Sequence, residues 1–203
     1  MSLVVQETGK SSGDFQIAPA GNHIAICYSL VELGHQYSAK YDKWQPKVQI
    51  AWELPTEPMA DGRPFVVSQR YTASLGELAS LRRDLEGWRG RPFTEEELAG
   101  FDLKNILGKP CMVNVVHNKP KDRTYANVKS VASVPKGFQV PQQVNPSVLF
   151  ELGDQGYDAE IFASLPEWMR NTILESRELK SMNQDYSQEE PQGTPEFDDE
   201  IAF

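Results

Sequence analysis

The chain has 203 residues and a formal net charge of −9, a length that suits one domain with a sizeable core. Its two cysteines, Cys27 and Cys111, lack metal-ligand spacing, and no apolar stretch is long enough for a signal peptide or a membrane span. Cysteine-built metal sites and membrane partners are excluded on these grounds; a cytoplasmic protein with reduced thiols and no cofactor is expected.

The acidity is uneven. Residues 1–150 carry 17 Lys+Arg against 15 Asp+Glu, whereas residues 151–203 carry 3 against 14. A mildly basic body with an acidic arm suggests a body that binds polyanions.

Residues 1–14 are polar and read as a flexible N-terminus. Residues 15–150 form the predicted domain, with strands from Ala20 to about Val134 interrupted by one helical region. Gly21–Tyr37 places Ile24, Ile26, Tyr28 and Leu30 in one phase, then Val31 and Leu33 in the opposite phase. Such a phase change predicts a bulge or bend in a long strand. Cys27 lies in this apolar run and Cys111 in another, which predicts two buried thiols. Lys47–Leu54 alternates Val48, Ile50, Trp52 and Leu54 with Lys47, Gln49, Ala51 and Glu53. Asp61-Gly62-Arg63-Pro64 signals a turn into a third strand, Phe65 to about Ala73.

Ser74 is the expected cap of a helix that carries Leu75, Leu78, Leu81, Leu85 and Trp88 on one face. Thr94-Glu95-Glu96-Glu97 is a capping box for a short helix over Glu95–Gly100. Strands follow at Lys109–His117 and Thr124–Val134. The order of three strands, helix, two strands is that of the OB-fold, a five-stranded Greek-key barrel with a helix between strands three and four. An open α+β sheet fits the same order. Pro135, Pro141 and Pro146 mark an extended connector, and residues 151–184 read as linker plus a helix over Glu167–Met182 with Trp168, Ile173, Leu174 and Leu179 as its apolar positions. This helix is free to pack on the sheet, meet another copy in a homo-oligomer, or bind a partner. From residue 185 to 203 there are seven acidic and no basic residues, which reads as a disordered tail.

Between the first two strands, Tyr37, Tyr41 and Trp44 interleave with Lys40, Lys43 and Lys47. Aromatics that stack on bases and lysines that pair with phosphates make a sequence-tolerant contact set for single strands. The alternative is that one or two of these aromatics plug the end of a barrel. Lys119, Lys121 and Arg123 crowd the turn of the last two strands, where a solvated tip or a second contact loop is expected. Arg70, Tyr71 and Tyr125 are assigned to the barrel face that meets the bases; Trp52 and Trp88 are assigned to the core. His23, His35 and His117 are scattered, and no phosphate loop or nucleophile motif is present, so no enzyme activity is expected.

Several residue runs, read jointly, point to a family. They are Ala79–Glu86, Trp88-Arg89-Gly90-Arg91-Pro92-Phe93, Leu107-Gly108-Lys109-Pro110-Cys111, Thr124-Tyr125-Ala126-Asn127-Val128 and Pro135-Lys136-Gly137, with Trp52-Glu53-Leu54 and Asp61–Phe65 upstream. Together they resemble phage and prophage proteins assigned to single-stranded DNA binding in replication or recombination. The resemblance implies sequence-independent binding and protection of single-stranded DNA. The segment Asp198-Asp199-Glu200-Ile201-Ala202-Phe203 resembles the acidic tip of bacterial single-stranded DNA-binding proteins, with Ala202 where those usually have Pro. It implies recruitment of replication, recombination and repair proteins, Ile201 and Phe203 entering an apolar pocket with basic residues around it. The rival expectation is an interaction protein that mimics such a tip and has no significant DNA affinity.

Overall fold

The first apolar alternation in the chain becomes the strand on which everything else is hung. In the computed structural model, which describes residues 16–120, 124–153 and 156–186 and side chains as far as Ser181, β1 (Gly21–Ser38) is 18 residues long. Lys121, Arg123, residues 1–14 and the tip Asp198–Phe203 lie outside the described residues. Antiparallel β2 (Lys43–Pro58) occupies one edge of β1 from Ile26 to Ser38. The other edge is shared: β4 (Pro110–Asn118) pairs antiparallel from Gly21 to Ile26, and the short β6 (Val148–Phe150) pairs parallel at Ser29–Val31. β3 (Pro64–Thr72) adds to β2 and β5 (Tyr125–Ala132) to β4, giving the order β3-β2-β1-β4-β5. No ladder joins β3 to β5, so this mainly β, largely antiparallel sheet of six strands is not closed.

The expected bend in the first strand is present twice, as register shifts between Cys27 and Ser29 and between Glu32 and Gly34. Its cause is a pair of cores on opposite faces of the sheet. Cys27 and Leu30 join Ile50, Trp52, Leu54, Val67, Val113 and Val131 in the first core, roofed by Leu81, Leu85 and Trp88 of α1 (Ser80–Arg89). Trp52 and Trp88 pack with ring centroids 6.0 Å apart, and Trp88 Nε1 donates to Pro110 O at 2.8 Å. Both cysteines are buried here, which pushes the Cys27 thiol up to about 12 and Cys111 well above its usual value. Val31 and Leu33 face the second core, built by Phe150 with Leu165, Met169, Ile173 and Leu179. These come from α4 (Glu167–Leu174), α5 (Arg177–Tyr186) and the turn after α3 (Ala159–Ser164).

Two helix expectations are corrected. α1 starts at Ser80, not beside Ser74; the Ser74 hydroxyl accepts from the Gly76 N–H, and Leu78 is fully exposed. The single helix over 167–182 is instead α4 and α5, broken at Glu175–Ser176 so that Ile173 and Leu179 both reach the second core. The capping box is as read: Thr94 Oγ1 accepts from Glu97 N–H, and Glu97 accepts from Thr94 N–H at the start of α2 (Glu95–Ala99). Hydrogen bonds from Arg91, Thr94 N–H and Arg89 pull the Glu97 carboxyl down to about 2, tying the α1–α2 corner together.

Three close contacts fix the helices and connector to the sheet. Gly34, at φ +67°, leaves room for Ser176, whose Cβ would lie 2.6 Å from a Cβ at this position. The Glu178 carboxylate accepts from the His35 backbone N–H at 2.9 Å and contacts the His35 ring. Buried Glu53, on the second face of β2, accepts from the N–H groups of Val144 (2.6 Å) and Asn145 (2.7 Å) and from Asn145 Nδ2 (2.6 Å). No helix among the described residues is long and apolar enough to cross a membrane.

Gly87 sets how closely α1 approaches β5. A Cβ there would lie 2.5 Å from Val131 O, beside the bond from Ser133 N–H to Gly87 O. Helix propensity favours alanine by about 1 kcal/mol, but overpacking against fixed backbone costs about 1–3 kcal/mol. Gly87→Ala is therefore expected to lower the urea midpoint, a net loss of up to about 2 kcal/mol.

Candidate functional site

Beyond Lys47, β1 and β2 continue as a two-stranded arm. Tyr37 pairs with Trp44 and Ser38 with Lys43, and the loop is only residues 39–42, turned at Asp42 with φ +48°. The arm is therefore longer and its loop shorter than the sequence suggested. Its two faces carry different chemistry because neighbouring residues of a strand point to opposite sides.

One face of the arm walls a cleft of about 890 Å³. Lys43, Gln45 and Lys47 line it from β2, Lys40 and Tyr41 from the loop, and Thr72, Glu77 and Leu78 from the end of β3 and the segment leading to α1. Tyr41 is 57 % exposed, with Lys40 Nζ 5.2 Å and Lys43 Nζ 5.9 Å from its ring centroid. Lys47 Nζ donates to Gln45 Oε1 (3.0 Å) and Thr72 Oγ1 (2.7 Å). Partial burial, together with the nearby Arg70 charge, lowers the Lys47 pKa. Among the described residues none of Lys40, Lys43, Lys47 or Arg70 has a carboxylate within ion-pair distance, whereas Arg63, Arg82, Arg89, Arg91 and Lys104 all do. Cations held close without counter-charges are costly to keep in the empty protein and favour an anionic ligand.

Tyr37 and Trp44 do not line this cleft. Their rings meet edge-on at 5.7 Å, Tyr37 donates its hydroxyl proton to Asp42, and Lys180 of α5 places Nζ 5.9 Å from the Trp44 centroid. Neither plugs a barrel end; both sit on the arm beside α5.

The remaining expected contacts are scattered. Tyr71 is a correction: it is 2 % exposed and donates to Asp84 Oδ2 at 2.9 Å within the first core, so it cannot meet a base. Burial and the Asp84 charge push its hydroxyl pKa up. The phase Tyr71 shares with Phe65 and Val67 along β3 is the sequence signal that turns this residue inward. Arg70 points to the opposite face and lies 5.8 Å from the Trp168 ring. Tyr125 is exposed on β5 and Lys119 exposed at the end of β4. Register sets that end of β4 against Gly21, at the other end of β1 from Ser38 and Lys43. The three histidines are held apart, His23 by Pro19 O and Glu57, His35 by Glu178, and His117 by Ala18 O.

No family model matches this chain, and no curated protein matches it.

Tyr71→Phe separates packing from surface chemistry. It deprives the buried Asp84 Oδ2 of its donor, an expected loss of about 1–3 kcal/mol in urea unfolding. The cleft residues are untouched, so any ligand of the cleft should bind the folded variant as it binds the parent.

Proposed function

We propose that the chain binds single-stranded DNA without sequence preference through the lysine-lined cleft. The observation that carries this reading is the grouping of Lys40, Lys43 and Lys47 around one open space with exposed Tyr41, none of the lysines countered by a carboxylate among the described residues. Single strands offer phosphates to the lysines and unpaired base faces to the tyrosine, and neither contact depends on sequence. Glu77 on the far wall is the one acidic side chain lining the cleft and keeps the field there below its maximum.

The strand order supports reading the sheet as an OB-fold barrel opened between β3 and β5. That fold binds oligonucleotides on strands two and three and on the hairpin loops beside them, which is where the cleft lies. In this reading the activity serves DNA replication or recombination, as the resemblance of the residue runs to phage and prophage single-strand-binding proteins implies. In the same reading the segment Asp198–Phe203 recruits replication, recombination and repair proteins, with Ile201 and Phe203 as its apolar anchors.

The test is the salt dependence of oligothymidylate binding. Each phosphate contact to a single strand contributes about 0.7 to the slope of log affinity against log salt. Replacing Lys43 and Lys47 together by alanine should flatten that slope by about 1.4 and weaken binding at every salt concentration. A double variant with the parent's slope and affinity would remove the cleft from the function. A parent without affinity at low salt would favour the rival reading, an interaction protein acting through its acidic tip.

A further inference from the structure

The outer face of β2 and β3 does not end at the lysine cleft. Register pairs Lys47 with Thr72, Gln49 with Arg70 and Ala51 with Ser68, three successive steps on one face. The first pair lines the cleft, and the third forms part of the floor of a second groove, of about 360 Å³, that runs between the sheet and α4. The distance from first pair to third is roughly 13 Å along the strands. Arg70 stands between them, and Trp168 of α4 overhangs the groove.

Trp168 is the anomaly of α4. Met169 and Ile173 are buried in the second core, but the indole is 48 % exposed and lies over the groove, with the Arg70 guanidinium 5.8 Å from its centroid. Among the described residues no carboxylate lines this groove; its polar side chains are those of Tyr28, Ser29, Ser68 and Ser164. Glu53, two residues beyond Ala51 on this face of β2, is fully buried and spent on Val144 and Asn145. An exposed aromatic beside a cation that has no carboxylate partner among the described residues, on the same sheet face as a lysine-lined cleft, has the chemistry of a stacking platform for a base.

We propose that a single strand leaves the lysine cleft past Arg70 and stacks a base on Trp168, which makes α4 part of the nucleic-acid path as well as a cover for the sheet. This inference rests on the single-strand reading of the cleft. It assigns to Trp168 and Arg70 a second subsite, and it makes the full binding site longer than the cleft.

The experiment is titration of the full chain with oligothymidylates of increasing length, comparing the parent with Trp168→Leu, Trp168→Tyr and Arg70→Gln, each with its urea midpoint. Loss of one base stack is expected to weaken long oligothymidylates about 5- to 140-fold in Trp168→Leu. Tyrosine should restore most of that loss, Arg70→Gln should weaken long strands and lower the salt slope, and an oligothymidylate short enough to occupy the cleft alone should bind both Trp168 variants as it binds the parent. Parent-like binding of long strands by Trp168→Leu overturns the proposal. So does an equal loss for short and long strands with a lowered urea midpoint, since that marks a packing role. A parent that binds no oligothymidylate at low salt instead overturns the single-strand reading, and the subsite falls with it.

Discussion

The bending of β1 is the constraint on which the rest of the molecule depends. A strand of 18 residues cannot keep one face on one core without curling, and here it shifts register twice. The first shift lets Cys27 and Leu30 stay in the core under α1 while Val31 and Leu33 serve the opposite core. The second brings Gly34 against Ser176 and His35 against Glu178, seating α5 at the base of the arm. Without that seat the C-terminal helices would have no fixed relation to the arm, and Lys180 would not stand over Trp44. The same bend frees the strand edge that β4 leaves at Ile26 and β6 takes up at Ser29.

Function follows from what this frame leaves uncovered. β2 is buried on both faces through its middle, with Gln49, Ala51 and Glu53 nearly inaccessible opposite Ile50, Trp52 and Leu54. It emerges at both ends, and toward the arm its side chains include Lys43, Gln45 and Lys47. The cationic residues that brace the fold, such as Arg89 and Arg91 on Glu97, are paired. Those on the arm are not, so their charge is available to a ligand at little cost in lost ion pairs.

Much of this was legible in the sequence. Strict alternation identified β2, a phase reversal located the bend in β1, and apolar runs placed both cysteines and both core tryptophans inside. The lysine grouping at 40–47 was visible because aromatic and basic residues interleave there. Other features were hidden for physical reasons. The first strand is legible to Tyr37, but the start of β2 before Lys47 has no apolar alternation because neither face of the arm meets a core, so it reads as loop. Leu75 and Leu78 continue the spacing of α1, yet the chain turns at Gly76 and Leu78 projects into solvent. β6 is three residues long, too short for a period. Tyr71, by contrast, shares the phase of Phe65 and Val67 on β3, and burial at the register of Val48 places it in the core, where its hydroxyl meets Asp84. The exposure of Trp168 could not be read from helix spacing, which places it with Ile173, Leu174 and Leu179 on one face of a single helix; the chain instead breaks at Glu175–Ser176.

The most direct measurement is a tryptophan-fluorescence titration of the full chain with unstructured oligothymidylate, beside duplex of equal length, at low and moderate salt. Tight binding to the single strand that weakens as salt rises, with weak duplex binding, is the predicted result. No binding at low salt, or duplex bound as tightly as single strand, would contradict it.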